Sequence, residues 1–130
     1  DNKLKILFCI GESFKEKKSK KTKKILSGQI KRGLKKIRNI KNIIVAYEPL
    51  WSIGTGIIPK NKELKNNILF IKKLLKKRFK DKNSIVLYGG SVNSKNIKDL
   101  SQINQIDGFL IGGSSQKSNK FIDIIKKTFN

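Results

Sequence analysis

The segment IIVAYEP, residues 43–49, decides the fold, because an apolar run stops abruptly at a carboxylate followed by a proline. The run is too short for a helix and is apolar throughout rather than alternating, which is typical of a parallel strand covered on both faces. Three further runs of this kind occur at Leu4 to Ile10, Ile85 to Tyr88 and Phe109 to Ile111. The pattern predicts a parallel sheet with layers packed on both sides.

Helical patterns separate and follow these runs. The first two present a continuous apolar face with lysines on the opposite side, at Leu26, Ile30, Leu34 and Ile37, and at Leu64, Ile68, Ile71, Leu75 and Phe79. Shorter patterns lie around Ile97 and Leu100, and around Phe121, Ile124 and Ile125. The order βαβαβαβα, with no linker or low-complexity break, predicts an α/β fold in a single domain over residues 1–130.

Each predicted strand ends at a polar or glycine-rich turn. These turns are Gly11-Glu12-Ser13, Glu48-Pro49, Gly89-Gly90-Ser91 and Gly112-Gly113-Ser114-Ser115. In a parallel sheet all four turns gather on one side, where α/β barrels and open α/β sheets place their ligand sites. The last two turns open toward helices, so their amides can approach an anion. Either turn alone is equally well explained as a tight turn, but the pair in consecutive units favours a phosphate site.

Glu48 and the segment after it form the second candidate site. A carboxylate at the end of an apolar strand loses hydration and gains nothing for packing, which suits a general base. The segment 49–59 that follows has a proline at each end and glycines in the middle, as in a lid that closes over a site and excludes water. Trp51 in this segment also has the simpler interpretation of a core-packing aromatic.

These motifs together resemble the triosephosphate isomerase family. The string AYEPLWSIGTG, residues 46–56, is similar to the family signature for strand six and its lid. FCIGES, LYGGSVN and IDGFLIGGSS, at residues 8–13, 87–93 and 106–115, resemble the ends of strands five, seven and eight in the same order. The resemblance covers essentially the whole chain. It implies about half of a (β/α)8 barrel, the C-terminal half, supplied as four βα units with parallel strands.

The resemblance also implies roles for particular residues. Glu48 is the expected catalytic base, which interconverts dihydroxyacetone phosphate and D-glyceraldehyde 3-phosphate through an enediolate without a cofactor or a metal. The expected phosphate-binding residues are Gly54, Ser91, Gly112 and Gly113. The expected lid and gate residues are Pro49, Trp51, Ser52, Ile53, Thr55, Gly56 and Tyr88. Cys9 and Glu12 are given a supporting role beside the base.

Two departures from the family pattern affect what can be transferred. The lid ends in Ile57-Ile58-Pro59 instead of the common hinge sequences, so its kinetics cannot be carried over, and Gln116 stands where leucine is common. More importantly, the family's asparagine, lysine and neutral histidine come from segments that are absent, and this chain contains no histidine. We therefore expect the chain to be a piece of a longer protein, inactive alone, whose complete form is a homodimer.

Composition bounds the remaining classes of function. The net charge of +22 raises nucleic acid as a partner, but only three of the 31 cations are arginines and the lysines are spread over every predicted helix. We expect neither a nucleic-acid nor a membrane partner. Cys9, the single cysteine, permits no disulfide within the chain and is expected to be a small buried apolar residue in a cytoplasmic protein. Two alternatives remain open: another phosphate-binding barrel, such as a sugar-phosphate isomerase of amino-acid biosynthesis, and a non-enzymatic basic binding fragment.

Overall fold

The fold is seen in a computed structural model that describes residues 4–81 and 83–129. Within these ranges the strands are β1 (Ile6–Ile10), β2 (Ile43–Tyr47), β3 (Val86–Gly89) and β4 (Phe109–Leu110). The helices are α1 (Phe14–Lys18), α2 (Thr22–Gly33), α3 (Asn61–Phe79), α4 (Ile97–Ser101) and α5 (Ser118–Phe129). A short 3₁₀ helix, Gly113–Gln116, precedes α5. The predicted alternation of strands and helices is confirmed.

The described strands form one parallel sheet in the order β1-β2-β3-β4. Each strand therefore pairs with the next strand along the chain, and helices make the crossovers that parallel pairing requires. The register places Tyr47 opposite both Ile10 and Tyr88, and Tyr88 opposite Phe109. The carboxyl ends of the strands consequently lie side by side, and the turns that follow them share one edge of the sheet.

One face of the sheet is covered by helices. Val45, Tyr47, Val86 and Tyr88 alternate along β2 and β3 and are fully buried on this face. Their core is completed by apolar side chains of α2 and α3, at Leu26, Ile30, Leu64, Ile68, Ile71 and Leu75. The apolar faces predicted for these two helices are thus the ones that pack on the sheet.

The alternate positions point to the opposite face, which in β1 carries Leu7 and Cys9. Ile6, at the start of the strand, is 47% exposed although it lies on the covered face. Leu7 is 43% exposed and Cys9 is exposed, while Ile10 on the covered face is buried. The expectation that Cys9 is buried is therefore wrong, because its strand position turns the thiol away from the helical layer. The expectation that both faces of the strands are covered is met on one face only among the described residues.

Element boundaries differ from the sequence pattern in several places. Strand β3 is shifted by one residue, to Val86–Gly89, and β4 ends at Leu110 rather than Ile111. The first strand begins at Ile6 rather than Leu4, and the first long helix ends at Gly33 although apolar spacing continues to Ile37. Leu34 is still buried, so the apolar spacing predicted burial correctly beyond the end of the helix. Among the described residues, no helix is both long and apolar enough to cross a membrane.

Helix α1 lies in a stretch that the apolar pattern left unassigned. Ser13 caps it: its hydroxyl accepts a hydrogen bond from the Glu16 amide at 3.3 Å, and the Glu16 carboxylate accepts one from the Ser13 amide at 2.8 Å. This reciprocal pair is a capping box, which the spacing Ser13-Phe14-Lys15-Glu16 encodes directly. The helix begins immediately after the first of the four strand-end turns.

Candidate active site

Glu48 lies at the carboxyl end of β2, on the face of the sheet opposite the helices. Its backbone is held against the neighbouring strand β1, since its amide donates to the Ile10 carbonyl at 2.7 Å. Two glycines flank it closely. A Cβ on Gly11 would lie 1.8 Å from the Glu48 carbonyl oxygen, and a Cβ on Gly89 would lie 2.8 Å from its Oε1. The backbone of Glu48 therefore occupies the space that a side chain at Gly11 would fill, and its carboxylate occupies the space that a side chain at Gly89 would fill.

Gln29 on α2 holds the Gly11 turn in place. Its side-chain amide donates to the Gly11 carbonyl at 2.8 Å and its Oε1 accepts from the Gly11 amide at 3.0 Å. Both backbone groups of this glycine are thus satisfied by one side chain, which fixes the turn relative to the helix. The backbone at Glu48 packs directly against that turn, so Gln29 indirectly helps to locate the carboxylate.

Cys9 is a titratable neighbour of Glu48. Partial burial, together with a hydrogen bond and the negative charge of Glu48, raises the pKa of Cys9 to about 11. The thiol is therefore neutral at physiological pH and can donate a hydrogen bond to the carboxylate. Cys9 thus places a neutral hydrogen-bond donor beside the carboxylate.

A cleft of about 350 Å³ joins Glu48 to the glycine turns. Gly54 of the lid, Ser91, Gly112 and Gly113 line it together with the carboxylate. No atom lies within 4 Å of the position that a Cβ would take at Gly112 or Gly113. Their backbone is consequently open to a ligand that approaches the start of the 3₁₀ helix.

The segment from Pro49 to Pro59 forms a loop over this cleft. Gly54 and Gly56 have φ angles of +70° and +78°, a conformation that glycine adopts without strain. The Thr55 hydroxyl spans the tip, since it donates to the Trp51 carbonyl at 3.1 Å and accepts from the Ile57 amide at 3.2 Å. Internal hydrogen bonds thus hold the tip together as a unit.

Ser91 fastens the tip of this loop to the turn after β3. Its hydroxyl accepts from the Gly56 amide at 2.8 Å and donates to the Ser52 carbonyl at 2.6 Å. Ser91 has a φ of +50°, which is uncommon for a residue with a side chain and aims its hydroxyl at the loop. One hydroxyl therefore contacts both the base and the tip of the loop.

Tyr88 and Ser52 make a second, buried connection. The Tyr88 hydroxyl donates to the Gly90 carbonyl at 3.0 Å and lies 3.1 Å from the Ser52 hydroxyl, which donates to the Ile57 carbonyl. Burial raises the pKa of Tyr88 to about 12, so its proton remains available for this network. A Cβ on Gly90 would lie 2.7 Å from the Ser52 hydroxyl oxygen, so this glycine is needed for the contact.

Glu12 anchors the first part of the loop, because its carboxylate accepts hydrogen bonds from Trp51 and Tyr47. It is fully buried, and its carboxylate accepts from the Trp51 indole N–H at 3.0 Å and from the Tyr47 hydroxyl at 3.2 Å. Asn67 donates to that hydroxyl at 2.9 Å. Burial, with the charge of Glu12 as the next cause, raises the pKa of Tyr47, so that hydroxyl stays a donor. The buried charge is therefore well supplied with hydrogen bonds.

The whole chain matches one protein family. The family model for triosephosphate isomerase matches residues 1–128. The chain belongs to the triosephosphate isomerase family.

Curated relatives agree with this match. A triosephosphate isomerase of Thermodesulfovibrio yellowstonii is 42% identical over 125 residues, which are 95% of this chain and 51% of that protein. The enzyme of Neurospora crassa is 41% identical over 128 residues, with 96% and 51% covered. That of Borrelia garinii is 44% identical over 126 residues, with 92% and 49% covered. The chain spans about half the length of the curated relatives it matches.

The structure sorts the residues expected from the triosephosphate isomerase resemblance into two groups. The expected base and phosphate-binding residues share the cleft, and Ile53 and Gly56 of the lid also line it. The other lid and gate residues do not line the cleft: Thr55 is exposed at the tip of the loop, Trp51 is half-buried, and Pro49, Ser52 and Tyr88 are buried. Trp51 is half-buried, so its interpretation as a packing residue fits alongside its place in the lid.

The two departures from the triosephosphate isomerase pattern have different surroundings. Ile57 is exposed and uses its carbonyl to accept from Ser52, Ile58 packs partly on the core, and Pro59 is buried. This end of the lid is therefore anchored by Pro59. Gln116 is exposed in the 3₁₀ helix, and nothing in the structure explains its presence.

Sequence reasoning did not single out several residues that shape this site. Gln29 and Asn67 were read only as helical positions, although each supports a buried part of the site. Asn93, Ser114 and Lys120 also line the cleft, and Lys120 adds a positive charge at its rim. Polar residues three positions after Leu26 and Leu64, within the predicted apolar faces, were the available signal for the first two. Over the described ranges, no cluster of three or more His, Cys, Asp or Glu side chains could hold a metal ion.

Proposed function

We propose that the protein to which this chain belongs is a triosephosphate isomerase, which interconverts dihydroxyacetone phosphate and D-glyceraldehyde 3-phosphate in glycolysis and gluconeogenesis. The observation that carries this proposal is one cleft, lined by Glu48, Gly112 and Gly113 and by the glycine-bearing loop. A proton-abstracting group and a phosphate-binding group at a short, fixed separation are what a small phosphorylated ketone requires.

Glu48 acts as the base in this proposal. Its carboxylate removes a proton from the carbon next to the substrate carbonyl, and the electrons move to the oxygen to give an enediolate. The same carboxyl group then returns the proton to the neighbouring carbon. The close approach of Gly89 to the carboxylate and of Gly11 to the Glu48 backbone supports this role, because both leave Glu48 little room to move. No cofactor or metal takes part in these steps.

The glycine turns hold the substrate phosphate. The amides of Gly112 and Gly113 open the 3₁₀ helix, and Gly54 and Ser91 face them across the cleft. Backbone amides that point at a common space provide partial positive charge without reorganising during the reaction. Holding the phosphate at a distance from Glu48 leaves the carbon skeleton beside the carboxylate.

The loop from Pro49 to Pro59 is the lid over this reaction. Its hydrogen bonds to Ser91 and Tyr88 support a closed position in which water is excluded from the enediolate. Ser91 has two functions in this proposal, since it contacts the lid and also lines the phosphate cleft. Closure of the lid and capture of the phosphate are therefore coupled through one residue.

The chain corresponds to strands five to eight, the C-terminal half of a (β/α)8 barrel. The resemblance of the strand ends supports this assignment, while the share of the relatives' length that the chain spans and the exposed face of the sheet support half of a barrel without saying which half. The N-terminal half supplies the electrophile that polarises the carbonyl, since this chain has no histidine. We expect negligible activity from the chain alone, and a cytoplasmic homodimer as the complete enzyme.

Reassembly tests the proposal. The chain is assayed for isomerisation of triose phosphate alone and together with an N-terminal half from a family member. We expect turnover only in the mixture, and a loss of at least about a thousandfold in Glu48→Gln. Asp99→Asn on α4 is the matched control, because it removes an exposed carboxylate without touching the cleft. Turnover by the chain alone, or by the Glu48→Gln mixture, would contradict the proposal.

A panel of other sugar phosphates is assayed in the same mixture. Activity on a larger aldose phosphate, with none on triose phosphates, would support the alternative barrel enzyme instead.

A further inference from the structure

Lys17 makes two contacts at the foot of the loop. Its ammonium nitrogen lies 3.7 Å from the centroid of the Trp51 ring, within the range of a cation–π interaction. The same nitrogen lies 2.9 Å from the Glu63 carboxylate. The side chains of Lys17 and Glu63 are only 26% and 34% exposed, so solvent screens this cluster incompletely.

The two partners of Lys17 belong to opposite ends of the same loop. Trp51 is the third residue of the segment that begins at Pro49. Glu63 lies in the first turn of α3, four residues beyond the Pro59 that ends the segment. One cation therefore joins the start of the loop to the helix that follows its end. The two contacts of Lys17 therefore bracket the loop, one at its start and one just beyond its end.

Trp51 is held on several sides, and Lys17 is the only charged group on its face among the described residues. Glu12 accepts its indole N–H, and the ring of Phe14 lies 6.5 Å away in a tilted arrangement. Phe14 and Lys17 both belong to α1, which its capping box fixes directly after Glu12. The short helix thus presents one apolar and one cationic side chain to the same indole.

We propose that Lys17 is a positioning residue that stabilises the closed position of the lid by holding Trp51 against Glu12 while bound to Glu63. This inference rests on the proposed function, in which the 49–59 loop closes over bound substrate. Opening the loop moves Trp51 away from α1 and breaks the cation–π contact. Lys17 therefore stabilises the closed state by the free energy of that contact. Removing the Lys17 side chain shifts the population of the loop toward the open state.

A simple stabilising ion pair is the competing explanation. Lys17 and Glu63 alone would only tie α1 to α3, and their removal would lower the stability of the fold without changing the lid. The two explanations differ at Trp51. Because this is the only tryptophan in the chain, its fluorescence reports on that contact directly when the N-terminal half used for reassembly contains no tryptophan.

The test compares Lys17→Gln, Lys17→Arg and Lys15→Gln in the reassembled enzyme. Lys15 lies on the same helix, is exposed and carries the same charge, so Lys15→Gln controls for the lost charge. Arginine can keep both the cation–π contact and the ion pair with Glu63. The readouts are kcat and KM, the Kd of phosphoglycolate, and the emission and acrylamide quenching of Trp51.

We expect Lys17→Gln to raise the Kd of phosphoglycolate and lower kcat/KM by roughly three- to tenfold. Trp51 should become more accessible to acrylamide in this variant, and Lys17→Arg should restore values to within about twofold of the wild type. Kinetics and quenching in Lys17→Gln that match Lys15→Gln would overturn the inference, and so would a failure of Lys17→Arg to restore them.

Glu48→Gln separates the two claims. If Glu48→Gln is inactive while Lys17→Gln behaves like Lys15→Gln, the isomerase proposal stands and only the role of Lys17 is wrong. If the wild-type mixture is inactive, or if Glu48→Gln retains turnover, the isomerase proposal fails and this inference fails with it.

Discussion

The two faces of the sheet differ although the same strands form both. On one face Val45, Tyr47, Val86 and Tyr88 are fully buried under helices. On the other face Leu7 and Cys9 are exposed, and Glu48 lies at the carboxyl end of β2. The strands are apolar on both sides, so their composition alone would not distinguish the faces.

This difference teaches that stability and chemistry are divided between the faces. The covered face carries the apolar burial that holds the described fold together. The exposed face carries the carboxylate and the thiol beside it, and it offers apolar surface to a second layer. In the proposed barrel that layer comes from the N-terminal half, so the exposed face is the interior of the complete enzyme.

The largest expected contrast comes from truncating one apolar residue on each face. Ile71→Ala, on the covered side, should lower the free energy of unfolding of the chain by about 2–5 kcal/mol, because Ile71 is fully buried between helix and sheet. Leu7→Ala should cost less than about 1 kcal/mol, since that side chain is 43% exposed. Urea unfolding measures both values.

Reassembly with an N-terminal half sharpens the same comparison. If the exposed face becomes the barrel interior, the cost of Leu7→Ala should rise toward that of a buried leucine while the cost of Ile71→Ala stays the same. Equal costs of the two substitutions in the isolated chain would contradict the division between the faces.

A smaller effect, confined to catalysis, is expected from Gly89→Ala. The new Cβ would lie 2.8 Å from both Cγ and Oε1 of Glu48, so the carboxylate must shift. A displacement of about 1 Å at a reacting group costs on the order of a hundredfold in rate. The measurement is kcat/KM in the reassembled enzyme, with unfolding followed in parallel.

Gly28→Ala is the control for Gly89→Ala. Its Cβ would meet only the flexible end of Arg32, at 3.1 Å, and alanine favours the helix in which Gly28 lies. We expect unchanged turnover and equal or greater stability. A Gly89→Ala enzyme with normal turnover would show that Glu48 is not confined from that side.

The sequence pattern predicted the fold well because apolar spacing is determined by burial. The buried apolar residues of α2 and α3 were those on the predicted faces, and Leu34 was buried even beyond the helix end. The pattern was wrong about Cys9, because an apolar run does not reveal which face of a strand is covered. That information comes from the layers around the sheet rather than from the strand.

The candidate site was predictable where it depends on backbone and charge at strand ends. Glu48, Gly112 and Gly113 follow apolar runs directly, and the topology alone brings such turns together. Gln29 and Lys17 were not predictable in this way. Their partners lie 18 residues away, at Gly11, and 34 and 46 residues away, at Trp51 and Glu63, so only the packed fold brings these groups into contact.

The smallest effect tests the chemistry of the exposed face at Cys9. The pKa of about 11, raised from 9.0, lowers the thiolate fraction of the folded chain about a hundredfold at pH 8. A more basic thiolate is also more nucleophilic, which offsets about tenfold of this loss. Alkylation by iodoacetamide at pH 8 should therefore be about tenfold slower in the folded chain than in urea, although the side chain is exposed.

Because the pKa of Cys9 is raised, the alkylation rate of the folded chain should continue to rise with pH from 9 toward 11, where the rate in urea has levelled off. Glu48→Gln should recover part of the difference, since the hydrogen bond and negative charge of Glu48 both raise this pKa, although desolvation is the larger cause. N-acetylcysteine measured in both buffers corrects for the effect of urea on the reagent. Equal corrected rates in the folded and unfolded chain would mean that the thiol does not face the carboxylate, and that the chemistry of this face is confined to Glu48.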